Sequence, residues 1–175
     1  DALIGSKYPY GYSRWSLPLG LGPEADARLF GRLPAYGDVA VFRLPRDSKV
    51  IYVKRVVGLP GDRIQMVKGE LVINGAKAPL RQLGTARIED HNGRYGEANL
   101  YAETLPGGVT HNIVKHAWDG WLDNTPVFTV PEGHIFVMGD NRDNSLDSRA
   151  SAQMGGVGFV PVANLMARAE FTIGS

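Results

Sequence analysis

An all-β or β-dominated α+β fold is predicted by three features of the chain. Short runs rich in Val, Ile and Phe are bounded by Gly, Pro, Asp or Asn, two-residue turn signals separate some of them, and no stretch of convincing length carries a helical period. In chain order the strand signals are "GDVAVFRLP" (37–45), "VIYVKRVVG" (50–58), "DRIQMVKGELVING" (62–75), "GHIFVMGD" (133–140) and "ARAEFTI" (167–173). Within the third run, Lys68-Gly69 reads as a hairpin turn and Asn74-Gly75 as a second turn. The segment 81–125 differs in composition, because "HNGRYGE", "LPGG" and "HAWDGW" divide it into small polar pieces. It is expected to form a variable β-rich insertion, with 1–80 and 126–175 as the core. No internal repeat is visible.

Bulk composition narrows the function classes. A chain of 175 residues suits one domain with an insertion and is long enough to bury a core. Nineteen basic against eighteen acidic residues leave a net charge of +1, which argues against a nucleic-acid partner. There is no cysteine, hence no disulfide and no thiol chemistry. No apolar run approaches the ~18–20 residues of a membrane-spanning helix, and the start lacks a signal-peptide pattern, so these residues read as soluble.

Lys54 is the first candidate for chemistry. "VIYVKRVVGLPGD" (50–62) would be a buried strand but for its two adjacent cations, Lys54 and Arg55. Alternation puts Tyr52, Lys54 and Val56 on one face and Ile51, Val53, Arg55 and Val57 on the other. Between an aromatic and a valine, desolvation lowers a lysine's pKa from its ordinary value near 10.4, which prepares it to act as a general base. The competing explanation is an edge-strand lysine that discourages aggregation.

The second candidate is "MGDNRDNSLDSR" (138–149), directly after the apolar "HIFV". Three aspartates, two asparagines, two serines and two arginines in twelve residues point to a hydrogen-bonded network in a loop leaving a strand. A plain surface turn is the alternative. A calcium loop starting at Asp143 is rejected, since its sixth position is Ser148 rather than Gly and its twelfth is Met154. His91, His111, His116 and His134 lack metal-ligand spacing and read as exposed loop residues. "GLPGD" is no phosphate loop. Trp15, Trp118, Trp121 and Phe30 suit either the core or an apolar rim facing a membrane surface.

Taken together these motifs resemble bacterial type I signal peptidases, the leader peptidase family. "YVKRVVGLPGDRI" is similar to the family's lysine box, and "GHIFVMGDNRDNSLDSR" followed by "GFVPVANLMARA" to its C-terminal box. "GDVAVFRLP" resembles its Gly-Asp strand, and "DALIGSKYPYGYS" the segment just after its nucleophile box. The resemblance covers roughly 1–13, 34–75 and 131–169. It implies an antiparallel β-sheet catalytic fold, LexA-like, that cuts leader peptides from exported preproteins with a serine–lysine dyad. It further implies anchoring in the cytoplasmic membrane with the catalytic part on the outer face. By the same resemblance Lys54 is the general base and Ser145 the hydroxyl that orients it. Asp147 and Arg149 are a supporting ion pair, Asp140 and Arg142 belong to the same loop, and Leu3, Val41 and Val53 line shallow substrate pockets. No metal or other cofactor is expected, and the partners are signal peptides, the membrane surface and, through the exposed cleft, a second copy.

Two departures accompany the resemblance. "ASAQMGGV" after Arg149 is a longer link than the shortest members have. The box carrying the serine nucleophile does not occur, since the family places it just before the segment matching Asp1 and Ser6 and Ser13 lie after that place. The expectation is a serine followed by Met and Pro within about ten residues upstream, a spanning helix before it, and no proteolysis by these 175 residues alone. Two rival readings are a LexA-type self-cleaving regulator and a non-catalytic β-domain that binds peptides through the old cleft.

Overall fold

Alternation of buried and exposed residues along the strand runs is what the folded chain uses to build its layers. The computed structural model describes residues 33–89 and 92–169. Its strands are β1 (Val39–Leu44), β2 (Asp47–Gly58), β3 (Arg63–Val67), β4 (Glu70–Ile73), β5 (Ala76–Lys77), β6 (Leu80–Glu89), β7 (Tyr95–Leu105), β8 (Val109–Lys115), β9 (Phe128–Thr129), β10 (His134–Met138), β11 (Val160–Pro161) and β12 (Leu165–Ala169). They form sheets ordered β11-β10-β2-β1-β12, β5-β4-β3-β9 and β6-β7-β8. Every strand-to-strand pairing among the described residues is antiparallel. The fold is therefore β-dominated, and among the described residues the helical structure is confined to short 3-10 turns.

β2 is the organising strand. It pairs with β1 on one edge and β10 on the other, and it is buried on both faces toward its C-terminal end. Val56 packs with Phe42, Leu44, Ile135 and Val137 on one side. Val57 packs with Ile64, Leu71, Phe136 and Met138 on the other. Period-2 alternation sends consecutive valines into different clusters. Phe128, Phe136 and Phe159 form an aromatic group with centroids 5.4–6.4 Å apart, and truncating the fully buried Phe136 to Ala would cost about 3–5 kcal/mol.

The turns follow their sequence signals. Lys68 and Gly69 (φ 48° and 79°) connect β3 to β4, and Asn74 and Gly75 (φ 53° and 83°) connect β4 to β5. Positive φ at both central residues matches the right-handed twist of the flanking strands.

Segment 81–125 is β-rich, as expected, and its strands are longer than its small polar pieces suggest. β6 and β7 are strands of ten and eleven residues paired from Leu80↔Glu103 to Glu89↔Tyr95, with one register shift between Gln82 and Gly84. β6 is largely exposed yet pairs along its length, because cross-strand backbone bonds do not need apolar side chains. The last strand starts at Leu165, before the Ala167 expected from sequence. Trp121 is 61% exposed and Trp118 half-buried, whereas Trp15 and Phe30 lie outside the described residues.

Candidate active site

Lys54 lies on the central strand β2, opposite Ala40 of β1, and is 6% exposed. The edge-strand explanation therefore fails, because neighbouring strands flank β2 on both sides. Its Nζ donates to Ser145 Oγ at 2.8 Å and lies 5.7 Å from the Tyr52 ring centroid. Burial pushes the Lys54 pKa down from its ordinary value, with Arg149 acting in the same direction and Asp147 and Asp140 opposing.

Ser145 reaches Lys54 because β10 ends opposite Arg55 and the loop after it folds back beside Lys54 of β2. Three side chains enforce that path. Ser148 Oγ accepts from Val137 N at 3.0 Å. Asp147 Oδ2 accepts from Gly139 N at 3.0 Å, and its Oδ1 from Arg149 N at 3.1 Å. Arg149 closes the turn with a two-pronged ion pair to Asp147, both contacts 2.9 Å, while its Nη2 also donates to Arg142 O at 2.9 Å. Asp147 is fully buried. Burial alone would raise its pKa, but the Arg149 guanidinium, helped by Lys54 and the Gly139 N–H, outweighs it and holds the carboxyl at about 2. Gly139 makes room for the loop, since a Cβ there would lie 2.1 Å from Ser145 Oγ.

Asp140 forms a bidentate pair with Arg55, both contacts 2.8 Å. Burial works against the charged form, yet the Arg55 hydrogen bonds keep its pKa well below the carboxylate range. Arg142 is buried and pairs with Glu103 of β7 at 2.9 and 2.5 Å. The structure thus brings together Lys54, Ser145, Asp147 and Arg149, with Asp140 and Arg142 in the same loop. Val41 and Val53 are cross-strand partners, and strand alternation assigns them to the face opposite Lys54. Val41 is buried and Val53 half-buried. Leu3 lies outside the described residues.

Reasoning from sequence missed Glu103 and His111, and the reading of His111 as an exposed loop residue is corrected. It sits on β8, is 7% exposed, and its Nε2 is 2.9 Å from Glu103 Oε1. The alternation of "VTHNIVK" was the available signal, since it places His111, Ile113 and Lys115 on one face, and all three are buried. Of the other histidines, His116 is exposed and His134 half-buried, and His91 lies outside the described residues.

An antiparallel β fold that buries a lysine on its central strand and gives it a hydroxyl partner defines a class of protein with a desolvated amine hydrogen-bonded to a serine. Comparison narrows that class. The family model described as signal peptidase, peptidase S26, matches residues 1–173, and the chain belongs to that family. A signal peptidase I of Rickettsia akari (strain Hartford) is 42% identical over 98% of this chain and 64% of its own length. One from Rickettsia conorii (strain ATCC VR-613 / Malish 7) is 41% identical over the same shares. The chain thus spans 64% of the length of these curated relatives. A solved signal peptidase I from Enterococcus faecalis V583 is 26% identical, covering 79% of this chain and 98% of its own, with a TM-score of 0.46.

Proposed function

We propose that this chain is the catalytic part of a signal peptidase I, a membrane-associated endopeptidase that removes N-terminal signal peptides from exported preproteins. The observation that carries the proposal is the buried Lys54 amine, its pKa lowered by burial, 2.8 Å from Ser145 Oγ. Neutral Lys54 takes the proton from a serine hydroxyl as that oxygen attacks the scissile carbonyl. The resulting ammonium protonates the leaving amine, and the amine then activates water to hydrolyse the acyl-enzyme. One lysine so replaces the His-Asp pair of a serine triad.

In this reading the nucleophile is a serine outside the described residues, and Ser145 fixes the direction of the Lys54 amine. Asp147 and Arg149 hold the loop, and Asp140 and Arg142 tie it to neighbouring strands. Leu3, Val41 and Val53 line pockets for small residues at the positions one and three before the cut. Val41 and Val53 stand side by side as cross-strand partners. A catalytic core of 1–80 and 126–175 with an inserted 81–125 is supported by the separate β6-β7-β8 sheet. Placement at the outer face of the cytoplasmic membrane and contact with its surface follow from the same reading. Among the described residues no helix is long and apolar enough to cross a membrane. The family match over residues 1–173 favours the peptidase over a self-cleaving regulator or a non-catalytic peptide binder.

The test is Lys54→Met in the full-length protein, assayed on a preprotein with alanine at the cut site. Cleavage should be abolished while the fold persists, and its melting temperature at neutral pH should not fall, because a desolvated amine has been removed. Lys54→Arg should fail likewise, since arginine keeps its proton. Cleavage at the normal rate by Lys54→Met would sink the mechanism.

A further inference from the structure

The loop carrying Ser145 takes many of its contacts from the inserted sheet rather than from the sheet that carries Lys54. Val114 N of β8 donates to Asp140 O at 2.9 Å. Lys115 Nζ, fully buried, bridges Asp123 at 2.6 Å and Asp143 at 2.8 Å. Asp143 Oδ2 also accepts from His116 N at 2.6 Å and Ala117 N at 3.1 Å. The deepest link is Glu103, which takes both prongs of Arg142 and also contacts His111 Nε2.

Charge makes Glu103 more than one contact among several. Three guanidiniums, Arg55, Arg142 and Arg149, are each paired with one of three carboxylates, Asp140, Glu103 and Asp147; the Arg142–Glu103 and Arg149–Asp147 pairs are buried and the Arg55–Asp140 pair is partly exposed. Those six charges cancel pair by pair. Glu103 is the one carboxylate of the three that comes from the insertion. Without it Arg142 is a buried cation lacking its partner. Arg142 is also where the loop is tied together, because its Nε donates to Gly139 O at 3.2 Å and its own carbonyl accepts from Arg149.

We propose that Glu103 is a positioning residue for the Lys54–Ser145 pair, acting through Arg142 on Gly139, Arg149 and Asp147, and that the inserted sheet is therefore a working part of the active site. The proposal rests on Lys54 being the base. Glu103 touches neither Lys54 nor substrate. It fixes the guanidinium fork, the fork fixes the backbone at 139 and 142, and that backbone sets where Ser145 and Asp147 stand.

Steady-state cleavage of a leader peptide by the full-length enzyme tests this with Glu103→Gln, the charge-balanced double variant Glu103→Gln/Arg142→Met, and Lys54→Met as control. Glu103→Gln should lower kcat roughly 10²-fold, the scale of a misplaced catalytic group, with KM changed only slightly. If Glu103→Gln does not fold, the double variant decides. It carries no orphaned cation, so it should melt near the wild-type temperature yet keep the kcat defect. Wild-type kcat in either folded variant would overturn the inference, and so would a double variant that cannot fold, which would make the pair a folding clamp. The control separates the two readings. An active Lys54→Met defeats the base assignment, whereas an inactive Lys54→Met beside a fully active Glu103→Gln defeats only the role of Glu103.

Discussion

Gly139→Ala is the sharpest single test of how the site is assembled. Gly139 does not have a left-handed φ, so alanine adds bulk and no backbone strain. Its Cβ would lie 2.1 Å from Ser145 Oγ, 2.5 Å from Ser145 Cβ and 3.4 Å from Lys54 Nζ. Relaxed contacts between carbon atoms lie near ~3.5–4.0 Å, so Ser145 must retreat by at least about 1 Å. That retreat stretches the 2.8 Å Lys54–Ser145 bond beyond hydrogen-bond range. Overpacking of this kind costs roughly 1–3 kcal/mol, partly offset by the ~0.4–1 kcal/mol that Gly→Ala gains from a less flexible unfolded chain. The melting temperature should then drop by only a few degrees. Rate is the decisive readout, because a displacement of about 1 Å near a reacting group costs on the order of 10²-fold. The assay is cleavage of a leader peptide by the full-length enzyme beside a thermal melt. A folded Gly139→Ala enzyme with wild-type kcat would refute the claim that Ser145 must stand where it does.

Two further outcomes follow from the same loop. Asp147→Asn removes the partner of a buried guanidinium and should destabilise the protein by about 3–5 kcal/mol at neutral pH, seen in urea unfolding. Because the folded pKa of Asp147, about 2, lies below that of the unfolded chain, its stabilising charge is fully present above pH ~4 and is lost as pH falls through about 2. The gap between wild type and variant should close over that window, and a gap independent of pH would count against the ion pair. Ser145→Ala should lose roughly 1–3 kcal/mol of transition-state stabilisation while retaining some cleavage. An acyl adduct trapped on Ser145 would make it the nucleophile instead.

Much of this protein was decided locally and is legible in the sequence. β-branched runs and Asn-Gly-type turns depend on a residue and its near neighbours, so β1 to β4 and β10 fall where the pattern puts them. The same holds for Lys54, whose oddity inside an apolar run is visible without coordinates, and for the crowding of Asp, Asn, Ser and Arg at 138–149. What the sequence left open was which charge meets which. Glu103 and Arg142 are separated by 39 residues and His111 and Glu103 by 8, and nothing in "YAETL" or "VTHNIVK" names a partner. The segment 81–125 read as a β-rich insertion, but its charged residues looked solvated in isolation. Burial of Glu103, His111 and Lys115 is set only when β7 and β8 come against the loop after β10, since a charge leaves water only where an opposite charge already waits. The central position of β2, which turned Lys54 from a plausible edge residue into a buried amine, was likewise decided by long-range strand pairing, through β10 arriving some eighty residues later to cover its open edge.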